Sequence, residues 1–388
     1  MIERRPVLRN VLIAATAIGL AGCKVIPRTP VQPVPLPPTV SEEPATGLLP
    51  SDRERHRLAL LVPMSGPNAA VGQSIANAAT MALLDTSSQS LRITTYDTAT
   101  GAQSAAARAL ADGNRLILGP LLSDDVQAAA VVARPARVPM ITFSNDNRAA
   151  GQDVFVLGLD PGQSVARVLS FAKAQGVNRV AALIPTGDYG QRSGAAMVSA
   201  AREAGVTIAS TESYDRSNPS IASAARRVRQ AGGHDGVLIA DAGRIAAQAA
   251  PLLKALGAAK PRLLGTELWS GESAVLTSPA LRGGWFAALP DARYPQFVNS
   301  YRARFGSTPH RLATLGYDSV LLAIRVARDW RPGRPFPVER LYDSGGFLGL
   351  DGPFRFGRDG VAQRALEVRE VGQRTTTVIS PAPTQFAE

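Results

Sequence analysis

RLALLVP (57–63), NAAVGQSIANAATMALLD (68–85) and LRITTYDT (91–98) follow one another near the start of the globular part of this chain, and their order decides the fold class. The first is an apolar run of strand length that stops at Pro-x-Ser-Gly. The second repeats its apolar residues at helical spacing, and the third alternates as a strand does. The cycle then recurs. AQSAAARALADG reads as a helix stopped at Gly113, RLILGP (115–120) as a strand, a helix starts at Ser123, and VPMITFS (138–144) is a strand again. Farther on come DVFVLGL, a helix near 162–175, RVAALIP (179–185), a helix near 190–204, VTIASTESY, a helix near 219–230, GVLIAD (236–241) and RLLGTE (262–267). Strands alternating with helices of about 10 to 16 residues make right-handed βαβ units on parallel sheets. The units are too many for one compact sheet. The pattern therefore predicts an α/β protein of two doubly wound lobes, residues 56–160 with 291–335 and residues 161–290 with 336–380. The closing stretch GGFLGLDGPFRFGRDGVAQRALEVREV breaks the alternation, and its Arg358-Asp359-Gly360 turn predicts a C-terminal β-hairpin.

The first 55 residues are a different material. Arg4, Arg5 and Arg9 precede VLIAATAIGLAG, an apolar run of 12 residues. A spanning helix needs about 20, whereas a basic n-region, a short apolar h-region and small residues before a cut describe a signal peptide. Leu20-Ala21-Gly22-Cys23 resembles the bacterial lipobox, which implies a signal peptide over 1–22 and a lipidated Cys23. Cys23 is the one cysteine in the chain, so it has no disulfide partner. Arg4-Arg5 also resembles a twin-arginine export signal. Lys24, rather than Asp, after the cysteine resembles the sorting pattern that favours the outer membrane. Residues 23–55 then read as the lipidated cysteine and a tether, with eight prolines between Pro27 and Pro50. Such a segment favours extended polyproline II, and some 30 residues reach roughly 90 Å at about 3.1 Å each.

The formal net charge is +11, and the basic residues are Arg apart from four Lys. A basic surface favours anionic envelope polymers or an acidic partner protein. Nucleic acid is not indicated, because aromatics are sparse and no basic motif clusters. Catalytic and cofactor signatures are absent. Ser170-Phe-Ala-Lys173 matches S-x-x-K, but no K-T-G accompanies it and Ser144-Asn145-Asp146 has the wrong order for S-D-N. There is no P-loop and no G-x-G-x-x-G. His56, His234 and His310 lie far apart, so no metal site is expected.

LALLVPMSGPNAAVGQSIANAATMAL, ILGPLLSDDVQAAA, VPMITFSND, GDYGQRSGAAM, GYDSVLLA and GLDGPFRFGRDG occur in this order over about residues 56–380. Together they resemble the type I periplasmic binding proteins, which include the branched-chain amino acid binders. With the lipobox and the Pro-rich tether, the GPLLS and ITFSND strings look most like the penicillin-binding protein activator lipoproteins. That resemblance implies a periplasmic protein held by lipid at the inner leaflet of the outer membrane. Its partner would be a class A penicillin-binding protein. The wider family implies the alternative, the substrate-binding lipoprotein of an ABC importer for an amino-acid-like ligand.

In doubly wound sheets ligands sit beyond the carboxyl ends of the strands. Those ends here carry Ser65, Ser123, Ser144, Asp146, Tyr189, Glu267 and Trp269. Ser123 is placed to cap the helix it starts. By resemblance, Ser123 and Ser144 stand near a ligand carboxylate, Glu267 near its ammonium, and Tyr189 across from it. Asp146 stands where the family places a Thr, and a second acid there favours a cation. Two further readings stay open: Ser123 and Asp146 as simple caps beside an empty cleft, and Trp269 as either a cleft platform or a core residue.

Overall fold

The computed structural model describes residues 54–216, 220–254 and 260–386. The signal peptide, Cys23 and nearly all of the tether lie outside the described residues. The first lobe opens with β1 (His56–Val62), α1 (Ala69–Asp85), β2 (Leu91–Asp97), α2 (Ala102–Ala111), β3 (Leu116–Leu118), α3 (Ser123–Ala133), β4 (Met140–Thr142) and β5 (Val154–Val156). These strands form one parallel sheet in the order β2-β1-β3-β4-β5. Strand β1 shows why its sequence lacks polar alternation. Leu58, Leu60 and Val62 point into a core shared with Ile75 and Leu315, while Ala59 and Leu61 point into another with Ala105 and Val126. A parallel strand covered by helices on both faces reads as continuously apolar.

The chain crosses after β5 into the second lobe. There it forms α4 (Pro161–Ala174), β6 (Arg179–Pro185), α5 (Asp188–Ala204), β7 (Thr207–Tyr214), α6 (Ser220–Ala231), β8 (Gly236–Ile239), α7 (Gly243–Leu253), β9 (Arg262–Gly265), α8 (Ser273–Thr277) and β10 (Trp285–Ala288). It returns to the first lobe with α9 (Tyr294–Phe305) and α10 (Ala313–Ala327), which pack on α1. A small antiparallel sheet follows, β11 (Phe347–Gly349), β12 (Gly352–Phe356) and β13 (Ala362–Arg364), with the expected Arg358-Asp359-Gly360 turn joining its last two strands. A third crossing delivers β14 (Glu367–Val371) and β15 (Thr376–Ser380) to the second sheet, whose order is β15-β14-β10-β9-β8-β6-β7.

One boundary differs from the sequence reading, which put 336–380 wholly in the second lobe. Phe336, Leu341, Phe347, Phe354, Phe356 and Ala362 belong to the first lobe's core, together with Leu58 and Phe155. The rings of Phe155 and Phe356 meet edge to face at 5.5 Å. Only from Leu366 does the chain join the second lobe, where Leu366 and Val368 pack with Val165 and Val180.

Candidate functional site

The carboxyl ends of both sheets carry the expected polar residues, but their partners differ between the lobes. At the end of β1, the Ser65 hydroxyl donates to Asp97 Oδ2 at 2.7 Å and the Met64 N–H donates to Oδ1 at 2.8 Å. These two donors hold the Asp97 carboxyl below its usual range. Ser65 is thus a turn-closing residue on an exposed edge.

Ser123 is the first residue of α3, and its hydroxyl does not cap that helix. It donates to Asp146 Oδ2 at 2.9 Å. Ser144, 3% exposed, accepts the Asp146 N–H at 3.1 Å and donates its own N–H to Thr142 Oγ1 at 3.1 Å. Asp146, 4% exposed, caps the short 3-10 turn Asn147–Ala149 by accepting the Arg148 N–H at 3.0 Å. The Arg148 guanidinium folds back on the same carboxylate, Nε to Oδ1 at 2.9 Å and Nη2 to Oδ2 at 2.7 Å. This pairing drives the Asp146 carboxyl far below its ordinary value and holds Arg148 firmly protonated. The reading of Asp146 as a cation-seeking acid is therefore corrected, since its charge already has a bidentate partner two residues away.

On the second lobe, Glu267 opens a 3-10 turn after β9. Ser164, from the second turn of α4, donates to its Oε2, and the Tyr189 hydroxyl donates to Oε1 at 3.1 Å. Tyr189 also shares a hydrogen bond with Thr266 Oγ1 at 3.0 Å. Burial raises the Glu267 carboxyl, with Asp160 adding to the shift. Burial and the neighbouring Glu267 charge push the Tyr189 phenol well up. Tyr189 is set by its neighbour Gly190: a side chain there would collide with the Pro185 carbonyl, so glycine lets the first turn of α5 close over the end of β6. Trp269 does not join this group. It is 1% exposed, lies over the Cα of Gly265 and packs with Phe286 in the core, so the core reading is the correct one.

Four residues that the sequence reading did not place in the site, Arg148, Arg192, Asp160 and Ser164, complete it. Arg148 reaches across the cleft to Asp188 Oδ2 at 3.1 Å. Arg192 of α5 reaches the other way, to the Asn145 carbonyl and to Asn145 Oδ1, the latter at 3.0 Å. Asp160 lies at the first crossing, its carboxyl raised by burial, with Asn147 and Arg192 acting on it. Ser164 serves Glu267 as described. The signals were present: D-x-R spacing at 146–148, and Arg192 one helical turn beyond Asp188.

The other sequence motifs have structural partners. Lys173 of the S-x-x-K match donates to Asn178 Oδ1 at 2.8 Å and to the Gly205 carbonyl at 2.7 Å. His56 stacks on Trp330 at 4.0 Å, far from His234 and His310 in the chain. Among the described residues there is no cluster of metal ligands and no helix long and apolar enough to cross a membrane.

Comparison with known proteins gives this geometry its context. The sequence profile of the periplasmic binding proteins matches residues 56–376. A putative branched-chain amino acid ABC transporter protein from Rhodospirillum rubrum superposes with a TM-score of 0.74, at 22% identity over 84% of this chain and 100% of that one. The leucine-binding protein LivK of Thermotoga maritima gives 0.63 at 22% identity, over 84% and 98%. Full-length LpoA of Haemophilus influenzae gives 0.64 at 17% identity, over 84% of this chain and 59% of LpoA. At such identities the likeness is one of fold. An uncharacterized protein of Rickettsia prowazekii is 26% identical over 179 residues, and the match spans about half of each chain, 46% and 48%. The family binds ligands and does not catalyse reactions, and its setting is the periplasm. With the profile match covering both lobes and the cleft between them, this chain belongs to the periplasmic binding protein family.

Proposed function

We propose that this chain is a periplasmic lipoprotein, anchored through Cys23 in the outer membrane, that binds and activates a class A penicillin-binding protein in peptidoglycan synthesis. One observation carries the reading. The first-lobe lip of the cleft is taken up by protein groups, with Arg148 on its neighbour Asp146 and on Asp188 of the second lobe, and Arg192 of the second lobe on Asn145. A carboxylate-binding solute site needs donors at that lip that are not already spent. The lipobox, the Pro-rich tether and the fold likeness to LpoA agree with a protein that reaches from one membrane toward a partner. Binding energy then comes from an outer surface rather than from lobe closure on a solute. Affinity capture from solubilised envelope tests this. Recovery of a class A penicillin-binding protein supports the reading, and recovery of an importer permease in its place refutes it.

A second reading has its own observation. Glu267 keeps a half-buried carboxylate whose side-chain partners are the hydroxyls of Ser164 and Tyr189, a suitable seat for a ligand ammonium. On this reading the chain is the substrate-binding lipoprotein of an importer for an amino-acid-like ligand. Calorimetric titration with a panel of amino acids separates the two: the activator shows no submillimolar binding, whereas the receptor binds one of them tightly.

A further inference from the structure

The end of the second lobe opposite the cleft carries a pocket that neither reading uses. Strand β9 ends beside Glu267 at the cleft and begins at Arg262, where a cavity of about 400 Å³ opens. Lys254, Lys260, Arg262 and Trp285 line it, with Asp235 at its wall. Lys254 follows the last turn of α7, and its Nζ makes one bond, to the Arg282 carbonyl at 3.1 Å. An ammonium has three protons to donate.

Two carboxylates, Asp235 and Glu370, stand on or near this wall. The Asp235 carboxylate accepts the Asn178 N–H at 2.9 Å and the Arg179 N–H at 2.7 Å. Glu370 accepts the Trp285 indole N–H at 2.9 Å and stands 3.9 Å from Arg262. Among the described residues no carboxylate pairs with Lys254 or Lys260. The segment between them, Ala255-Leu256-Gly257-Ala258-Ala259, has no ionisable side chain. Arg262 is held in place, its guanidinium 4.1 Å over the Trp285 ring and bonded to the Gly283 carbonyl.

We propose that this pocket binds a multivalent oxyanion, of the diphosphate or tricarboxylate kind. Three cations and one carboxylate, Asp235, face this concavity, and an anion that occupies it offsets the excess positive charge. Burial holds the Lys254 ammonium below its ordinary value, and the charges of Arg262 and Lys260 add to the shift. An anion with two or more charges offsets that excess and takes up the free protons of Lys254. Trp285 and the Gly283 backbone give the pocket a rigid floor. The site lies at the opposite end of β9 from Glu267 and shares no lining residue with the cleft group.

The test is calorimetric titration of the full-length protein with inorganic pyrophosphate and, separately, with citrate, in low-salt buffer. At least one anion should bind with a Kd below about 1 mM, and binding should weaken as salt screens the charges. The Lys254→Gln/Lys260→Gln double variant should lose at least about tenfold, and Arg358→Gln, in the exposed turn between β12 and β13, should stay within about twofold. Pyrophosphate binding alone assigns a phosphate ligand, citrate alone a carboxylate ligand, and both assign the shared chemistry. On the wild-type protein, the bound anion should also slow acylation of the Lys254 amine relative to chloride at matched ionic strength. Absence of heat with both anions overturns the proposal. So does equal affinity in the double variant, or binding that leaves Lys254 unprotected.

Discussion

The two lips of the cleft carry the same kinds of residue and treat them oppositely. On the first lobe, buried Asp146 is saturated by a guanidinium, a hydroxyl and a backbone N–H, and its carboxyl is driven down. On the second, Glu267 has the hydroxyls of Ser164 and Tyr189 as its side-chain partners, and burial drives it up. A lip whose charges close on themselves is a structural clasp. A lip that keeps an acid among neutral donors retains the capacity to bind a cation. The difference teaches that one fold can hold two similar acids in opposite electrostatic settings on facing lobes.

The largest expected effect sharpens the lobe boundary itself. Phe354 is buried in the first lobe's core against Phe347 and Phe356. Phe354→Ala should cost about 3–5 kcal/mol, read by urea denaturation. A loss under about 1 kcal/mol would show that 336–364 is an appendage rather than part of that core.

The next effect pits the two acids against each other through pH. Asp146 has a lowered folded-state pKa, so its contribution is present above the ordinary Asp value and lost as pH falls through the folded one. Glu267 has a raised pKa, so its contribution is full below the ordinary Glu value and lost as pH rises through the folded one. Asp146→Asn should therefore destabilise most at neutral pH, and Glu267→Gln most in acid. Parallel stability profiles for the two variants would break the comparison. Asp318, buried near Asp351, Arg311 and Arg364, follows the Glu267 sign with its carboxyl pushed up to about 7. Asp318→Asn should flatten the loss of stability between pH 5 and about 7.

The smallest effect concerns the outer edge of the first lip. Ser65 is exposed and bonds to Asp97 alone, so Ser65→Ala should change stability by less than about 1 kcal/mol. Thermal unfolding checks this. A larger loss would mean that the turn after β1 organises the whole lip.

Much of this was legible in the sequence because it rests on periodicity. The continuous apolar run of β1 and the helical spacing of α1 follow from burial on two faces and on one. Ser123, Ser144, Asp146, Tyr189 and Glu267 were legible as strand ends, and the structure brings each to the cleft edge of its lobe. What escaped depends on local turns and on long-range choice. Arg148 and Trp269 sit in 3-10 turns, where side-chain direction does not follow strand or helix periodicity, so one was overlooked and the other stayed open between cleft and core. Phe347, Phe354 and Phe356 lie in the stretch read as a hairpin, but a hairpin signal does not say which of two cores its strands will join. The partner of Arg192, on the other lobe, is likewise set by tertiary placement alone.

The most direct test of the account measures glycan polymerisation by a purified class A penicillin-binding protein with and without this protein. Wild type, Glu267→Ala and Ser123→Ala are compared side by side. If an outer surface does the work, wild type raises the rate and both variants stay within about threefold of it, roughly 0.7 kcal/mol. Contradiction would be an unchanged rate with wild type, together with a micromolar amino-acid ligand whose binding disappears in Glu267→Ala.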